Sequence, residues 1–288
     1  MRIYKHWDGP DPGATPGRVF TASIGQELMV PGGPFLSHLM LGVRGTIATT
    51  AIPIEEFIDL ISEYDVWVGS ELRIKLDGND LCALSAYYAG VTPLVLENTD
   101  ATGSLIVGGI KLPINAPADA AKPFSHAATR AAQTNVTVET LSVTGYYINA
   151  KGTRKPVHAV VITLTSAAAT GTDSFNFRLP PVGRLVKLIM AMPAASDFTD
   201  TNIDVAFQRV KLIKDGEVLA EFNTLGDHKQ MLVTNLLTQL PTDDLISRYK
   251  HFDLSDEGFD LKSGVWTITI DNQDASDALR IIPVIEME

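Results

Sequence analysis

The chain has 288 residues, of which 45% are hydrophobic and 20% charged, and its formal net charge is -11. This composition is that of a packed globular protein and excludes wholesale disorder. The acidic balance argues against wrapping nucleic acid directly, because phosphate neutralisation needs clustered Lys and Arg. No run of about 20 apolar residues exists to span a bilayer. Residues 1–8 lack the apolar run of a signal peptide. The single cysteine, Cys82, fits folding in a reducing cytoplasm.

The first half of the chain is predicted to consist mainly of short strands. Residues 8–17 (DGPDPGATPG) are Gly/Pro-rich, so 1–17 is interpreted as an N-terminal arm. Apolar or alternating runs bounded by turn residues predict strands at 19–24, 35–47, 72–76, 104–115 and 136–148. Helical spacing predicts short helices at 53–64 and 81–88. The Ala-rich residues 116–134 are predicted to be a long loop, and 149–156 a linker.

The second half shows the same kind of pattern. Strands are predicted at 160–164, 175–179, 185–192, 210–212, 218–222, 264–272 and 278–285. Residues 227–239 read as a helix with Asp227 as its N-cap. A chain with about fourteen to sixteen short strands and few helices is typical of β-sandwiches or barrels.

Landmarks recur at a nearly constant offset, which predicts an internal duplication. The first strands of the halves begin at Arg18 and His158, 140 positions apart, and Asp-Gly dipeptides end at Gly78 and Gly216, 138 positions apart. A period near 140 is too long for solenoid repeats and fits a whole domain folded twice. We therefore expect two tandem jelly rolls, each an eight-stranded β-sandwich, at 18–150 and 151–288. The alternative is one large sandwich with coincidental turns.

Three segments carry a resemblance to a known family: SIGQE at 23–27, IKLDGNDL at 74–81 and GGIKLPI at 108–114. With the tandem architecture, they make the chain similar to the double jelly-roll major capsid proteins of icosahedral, membrane-containing viruses, the PRD1/PM2–adenovirus lineage. The resemblance implies an all-β structural protein, without enzymatic activity, that forms pseudo-hexagonal homotrimers in a virion. Its expected partners are itself, other capsid or vertex proteins and an internal membrane, without sequence-specific nucleic acid binding. Synthesis in the host cytoplasm is expected.

The sequence lacks the common motifs for catalysis and cofactor binding. The phosphate loop GxxxxGK, the GxGxxG fingerprint, GxSxG and HExxH do not occur in the sequence, and the six histidines lack metal-ligand spacing. No catalytic, cofactor or metal residues are therefore predicted. Two acidic clusters offer the oxygen ligands that calcium needs, although solvated turns are the favoured interpretation. They contain Asp253 and Asp256, and Asp271 and Asp274.

Individual residues carry further expectations. Cys82, Trp67 and Trp266 are predicted to be mostly buried. The tripeptide His6-Trp7-Asp8 either docks in a neighbour's pocket or packs on its own domain. Two other functions remain open. One is a jelly-roll binding module, such as a lectin or receptor-binding spike, and the other is a β-sandwich enzyme of the cupin or glycosidase type. The second lacks the histidine cluster that cupins need.

Overall fold

The computed structural model divides the chain into two compact units, Met1–Val160 (unit 1) and Val161–Glu288 (unit 2). The structure describes residues 1–7, 18–48, 58–91, 94–97, 105–118, 121–132, 136–149, 155–164, 171–191, 209–222, 249–254, 259–261, 264–272 and 279–287. Within these ranges there are twenty strands and one helix whose two ends are both described. No helix of the described residues is long and apolar enough to cross a membrane.

Unit 1 contains eleven of these strands and the helix. In chain order they are β1 (Arg2–Trp7), β2 (Arg18–Val19), β3 (Ile24–Leu28), β4 (Phe35–Ile47), β5 (Ile61–Val68), β6 (Glu71–Leu76), α1 (Gly78–Tyr87), β7 (Leu94–Glu97), β8 (Leu105–Pro117), β9 (Phe124–Arg130), β10 (Val136–Ile148) and β11 (Val157–Val160). One sheet has the order β2-β10-β4-β8, with β1 beside β2 on β10 and β7 outside β8. The other has the order β3-β9-β5-β6, followed by β11, which runs parallel to β6.

Unit 2 contains the remaining nine strands. They are β12 (Ile162–Leu164), β13 (Gly171–Phe177), β14 (Arg184–Ala191), β15 (Arg209–Lys214), β16 (Glu217–Phe222), β17 (Tyr249–Asp253), β18 (Phe259–Asp260), β19 (Trp266–Asn272) and β20 (Leu279–Glu286). One sheet has the order β12-β20-β14-β17, with β18 also on β14, and the other has the order β13-β19-β15-β16. All these pairs are antiparallel.

The two units share one topology. Without β1, β7, β11 and β18, each unit has eight strands, which can be numbered one to eight along the chain. In both units the first, eighth, third and sixth strands, in that order, form one sheet. The second, seventh, fourth and fifth form the other sheet in both units. This is the strand order of a jelly roll, in which two four-stranded sheets make a sandwich. The predicted duplication is confirmed, and the single large sandwich is excluded.

Each sandwich is closed by the inward-facing residues of its two sheets. In unit 2, Leu188 on β14, Val210 on β15 and Ile268 on β19 belong to one buried cluster. In unit 1, alternate residues of β4, such as Leu39 and Leu41, are completely or almost completely buried. This alternation follows from the two-residue period of a strand with one face on a core.

The two Asp-Gly dipeptides that suggested the duplication do not occupy equivalent positions in the two units, so this part of the prediction is wrong. Asp77 does not form a turn: its side chain accepts a hydrogen bond of 2.8 Å from the backbone N–H of Asp80 and caps α1. Asp215 and Gly216, with φ of 49° and 92°, form the two-residue turn between β15 and β16. The equivalent hairpin of unit 1 joins β5 to β6 and turns at Gly69, 146 positions before Asp215. Asp suits both a helix N-cap and a tight hairpin turn, so the dipeptide alone could not distinguish them.

Three other local predictions differ from the structure. Of the helix predicted at 53–64, the last four residues belong to β5, and 53–57 lie outside the described residues. The predicted loop at 116–134 contains β9 and the end of β8. The predicted strand at 19–24 is divided between β2 and β3, with Phe20 buried between them. In the first two cases sheet pairing outweighs the local signal, because the inward face of a strand needs only alternate buried residues.

Other predictions agree or lie outside the description. The helix predicted at 81–88 is α1, and Gly90, with φ of 65°, follows its end. The predicted helix at 227–239 falls outside the described residues. The compact units divide ten residues after the predicted boundary at 150, since β11 pairs with β6. The exact jelly-roll bounds stay a prediction.

Candidate functional site

The described N-terminal residues form part of a sheet. Residues 2–7 make strand β1, which pairs antiparallel with β10 at the edge of its sheet. The rest of the predicted arm, 8–17, lies outside the described residues. From Arg2 to Lys5 the side chains of β1 are exposed, whereas Trp7 is only 4% exposed. The strand is therefore held at its C-terminal end by side chains and along its length by backbone pairing.

Trp7 packs on unit 1 itself. Its ring stacks on that of His126, with centroids 3.9 Å apart, and meets the Tyr64 ring edge-on at 6.5 Å. The Tyr64 hydroxyl and Nδ1 of His126 are hydrogen bonded at 2.9 Å. The indole Nε1–H donates to Glu27 Oε2 at 3.0 Å. Of the two readings of His6-Trp7-Asp8, the structure places Trp7 in a pocket of its own domain.

His6 occupies the neighbouring position. Its Nε2 is hydrogen bonded to the Tyr147 hydroxyl at 3.0 Å, and its ring centroid lies 6.1 Å from that of His126. Tyr4 is 5.3 Å from His6, measured between ring centroids. We call Glu27, Tyr64, His126 and Tyr147 the anchor site, since together they receive His6 and Trp7.

The two histidines beside Trp7 are uncharged at neutral pH. Burial lowers the pKa of His6 to about 4. Burial also lowers the pKa of His126 to about 3, and positive charge on His6 and Arg18 adds to the effect. Glu27 is hydrogen bonded by Arg18, which lowers the pKa of its carboxyl group. Both histidines are therefore neutral, and the Arg18–Glu27 ion pair at the rim balances its own charge.

This chemistry is that of an anchor and not of a reaction centre. His126 is 1% exposed, its ring stacks on Trp7 and the Tyr64 ring meets it edge-on, so its imidazole has little access to a solute. Within the described residues no group of three or more His, Cys, Asp or Glu could hold a metal ion. The arrangement can fix one strand by aromatic stacking and hydrogen bonds.

Glycine positions show how closely β1 approaches β10. A Cβ atom added at Gly145 would lie 2.7 Å from His6 Nε2 and 2.7 Å from Tyr147 Cε2. Gly145→Ala is therefore expected to lower the unfolding free energy of unit 1 by about 1–3 kcal/mol, measured by urea denaturation. The control is Gly25→Ala on β3, where an added Cβ meets nothing within 4 Å. Equal stability of the two variants would contradict the close approach.

The buried residues predicted from sequence fall into two groups. Cys82 on α1 and Trp266 on β19 are buried, as predicted. Trp67 on β5 is partly exposed but still mostly buried, in agreement with the prediction. Its neighbour Val66 points into the core, and successive residues of a strand face opposite sides of the sheet.

The acidic clusters are described only in part. Asp253 lies on β17, and its carboxylate accepts a 2.7 Å hydrogen bond from Lys187 Nζ on β14. Asp271 lies on β19, and Asp256 and Asp274 fall outside the described residues. Calcium binding by these clusters therefore stays an untested prediction, and Asp253 already has a cationic partner.

Sequence reasoning missed the anchor site because it placed His126 in a loop. The available signal was the two-residue period of Phe124, His126 and Ala128, which are all buried. Ala128 pairs with Tyr64 on β5, where a small side chain leaves room beside the large ring. The Ala-rich composition hid this period.

No protein-family profile and no curated protein matches the sequence. Solved structures do match. The major capsid protein of Sulfolobus turreted icosahedral virus is 11% identical, with a TM-score of 0.71, over 100% of this chain and 97% of that one. The major capsid protein of bacteriophage PM2 is 11% identical, with a TM-score of 0.62, over 100% of this chain and 98% of that one. At such low identity the likeness concerns the fold, and it confirms the predicted double jelly roll.

Proposed function

We propose that the chain is a major capsid protein, the structural building block of an icosahedral viral shell. The observation that carries the proposal is the repetition of one jelly-roll strand order in units 1 and 2. Full-length similarity in fold to two viral major capsid proteins supports it. The role is mechanical and requires no catalytic residue, metal or cofactor.

The duplication suits a trimer that tiles a surface. Closed symmetric assembly is the usual way for identical chains to bury their edges. Three chains with two similar sandwiches each supply six, which can be arranged as a nearly hexagonal block. Because the two sandwiches differ in sequence, neighbouring edges of the block can make different contacts. The proposed oligomer is therefore a pseudo-hexagonal homotrimer.

The proposed partners follow from this role. They are other copies of the chain, further capsid or vertex proteins and an internal membrane. The net charge of -11 gives the chain little attraction for phosphate, so we propose no sequence-specific nucleic acid binding. The proposed location is the virion, after synthesis in the host cytoplasm.

Light scattering coupled to size exclusion tests the proposal. We expect a trimer of about 93 kDa, three times the chain mass of 31.1 kDa, with larger assemblies at higher concentration. The interfaces should bury more than the roughly 1,200–2,000 Å² of a standard pair. A protein that stays monomeric at high concentration would contradict the capsid function and favour a binding module.

The binding-module alternative has less structural support. Such a module would present exposed aromatic residues on its loops. Trp7 and Trp266 are instead buried in their own units.

A further inference from the structure

Strand β1 is joined to unit 1 by more chain than its position requires. Trp7, the last residue of β1, pairs with Val143, and Arg18, the first residue of β2, pairs with Leu141. These two positions on β10 are about 7 Å apart. The connector has ten residues, 8–17, and ten extended residues reach about 35 Å. The connector is thus several times longer than docking within one chain needs.

The connector between β1 and β2 is rich in proline and glycine. DGPDPGATPG contains three prolines and three glycines. Proline lacks a backbone N–H and has a fixed φ, so such a sequence is poor at forming a helix or a central strand. Proline-rich linkers act as extended spacers.

The side-chain contacts of β1 with the anchor site are made at its C-terminal end, by His6 and Trp7. Two apolar side chains nearer the N-terminus are largely exposed: Met1 is 76% and Ile3 57% exposed. An edge strand with exposed apolar residues is ready for contact with another chain. A second copy lying alongside would cover them.

The contacts of β1 do not depend on which chain supplies it. β10 offers the same backbone groups, and the anchor site the same rings, to β1 of another copy. In dilute solution the connector keeps its own β1 at an effective concentration on the order of millimolar. Within an assembly, neighbouring copies offer a comparable concentration. Docking between chains then costs little, because the same contacts are made.

We propose that β1 is exchanged between copies, so that β1 of one chain docks on β10 and the anchor site of a second chain. The proposal rests on the self-association proposed above and identifies a surface and a segment that mediate it. Exchange of an identical element is a low-cost route to association.

A disulfide between chains tests the exchange. Lys5 and Thr144 are register partners on β1 and β10, and such partners have the Cα separation that a disulfide needs. Lys5→Cys is made in one preparation and Thr144→Cys in another, and the two are mixed under assembling conditions and oxidised. Cys82 is buried and does not compete. We expect a covalent dimer of about 62 kDa, twice the mass of 31.1 kDa, on a non-reducing gel.

Three controls make the result specific. A mixture of Met40→Cys and Thr144→Cys chains should give no dimer, because Met40 is the register partner of Thr144 on the central strand β4. The double variant Lys5→Cys/Thr144→Cys shows that the pair oxidises. Deleting residues 10–15 leaves a connector that is long enough for β1 to dock within one chain but too short for it to reach a second chain. It should lower the dimer yield at least tenfold while the double variant still oxidises within one chain.

Light scattering on the same samples separates this inference from the proposed function. Trimers with linked dimers support both. Trimers without linked dimers overturn the exchange and leave the capsid function standing. Monomers without linked dimers overturn both, and linked dimers without trimers support the exchange alone.

Discussion

Replacing Trp7 with alanine is expected to lower the unfolding free energy of unit 1 by about 3 kcal/mol, within the range for truncating a buried aromatic residue. The variant loses the stacking on His126, the edge contact with Tyr64 and the hydrogen bond to Glu27. Because β1 is an edge strand, it can undock without unfolding β10. Urea denaturation followed by circular dichroism measures the loss, and protease cleavage within residues 1–17 reports the undocking.

Two matched variants assign the effect to the buried indole. Trp7→Phe keeps a ring over His126 and loses the donor to Glu27, so about 1 kcal/mol should be lost. Ile3→Ala, on the same strand but 57% exposed, should change stability by less than about 0.5 kcal/mol. If Ile3→Ala and Trp7→Ala destabilise equally, Trp7 is not the anchor of the strand.

The long central strands could be predicted to the residue. β4 and β10 span 35–47 and 136–148 in both the prediction and the structure. Buried and partly exposed residues alternate from Leu39 to Ile47 in β4 and from Leu141 to Ile148 in β10, and the two strands pair with each other along most of their length. Such a long two-residue period leaves no helical alternative.

Short segments could not be predicted in this way. Ile61 and Tyr64 are three residues apart, which fits a helical face, yet both are also buried in β5. In a regular strand this spacing would place them on opposite faces, but a register shift between Ile61 and Glu63 in the pairing with distant β9 allows both to be buried. The sequence carries no local record of that pairing.

The same limit applies to the anchor site. The sequence singled out His6 and Trp7 as a docking element and left open where they dock. Their main partner, His126, is 119 positions after Trp7 and lies in a strand that the composition concealed. The pairing of β9 with β3 and β5 brings this histidine to the N-terminal strand. Contacts of such sequence separation follow from the jelly-roll topology and not from local pattern.

Acidification is expected to destabilise unit 1 through the two histidines beside β1. Their pKa values in the folded protein, about 4 for His6 and about 3 for His126, lie below the ordinary 6.5 because both are buried. A histidine whose pKa is lowered in the folded protein binds a proton more readily after unfolding or undocking. Its contribution to stability is therefore complete above pH 6.5 and is lost as the pH falls from 6.5 towards 3. At about 1.4 kcal/mol per pH unit, the shift of His126 from 6.5 to about 3 corresponds to a loss on the order of 5 kcal/mol once the pH has fallen to about 3.

The neighbouring groups modify this dependence in known directions. Tyr64 and Tyr147 beside the two rings carry no charge in this range, because burial raises the pKa of each hydroxyl group. Glu27 has a lowered pKa because of Arg18, so its contribution is also lost at acid pH, but only below its ordinary value of 4.5. Away from the anchor site, burial first and the charge of Glu63 second raise the pKa of Asp65 to about 6. The contribution of Asp65 to the unfolding free energy of unit 1 therefore rises as the pH falls below 6, which offsets part of the loss from the histidines.

The contribution of His126 is isolated by comparing pH slopes instead of absolute stabilities. His126→Gln removes the titrating group and keeps a polar side chain near Tyr64. Its unfolding free energy, measured with urea at pH 7, 5 and 4, should be lower than that of the unchanged protein at pH 7 and should fall less between pH 7 and 4. Phe124→Leu is the matched control, because Phe124 is buried on the same face of β9 but does not titrate. It should lower stability by a similar amount at every pH. Parallel slopes for His126→Gln and the unchanged protein would show that His126 is not what couples unit 1 to acid.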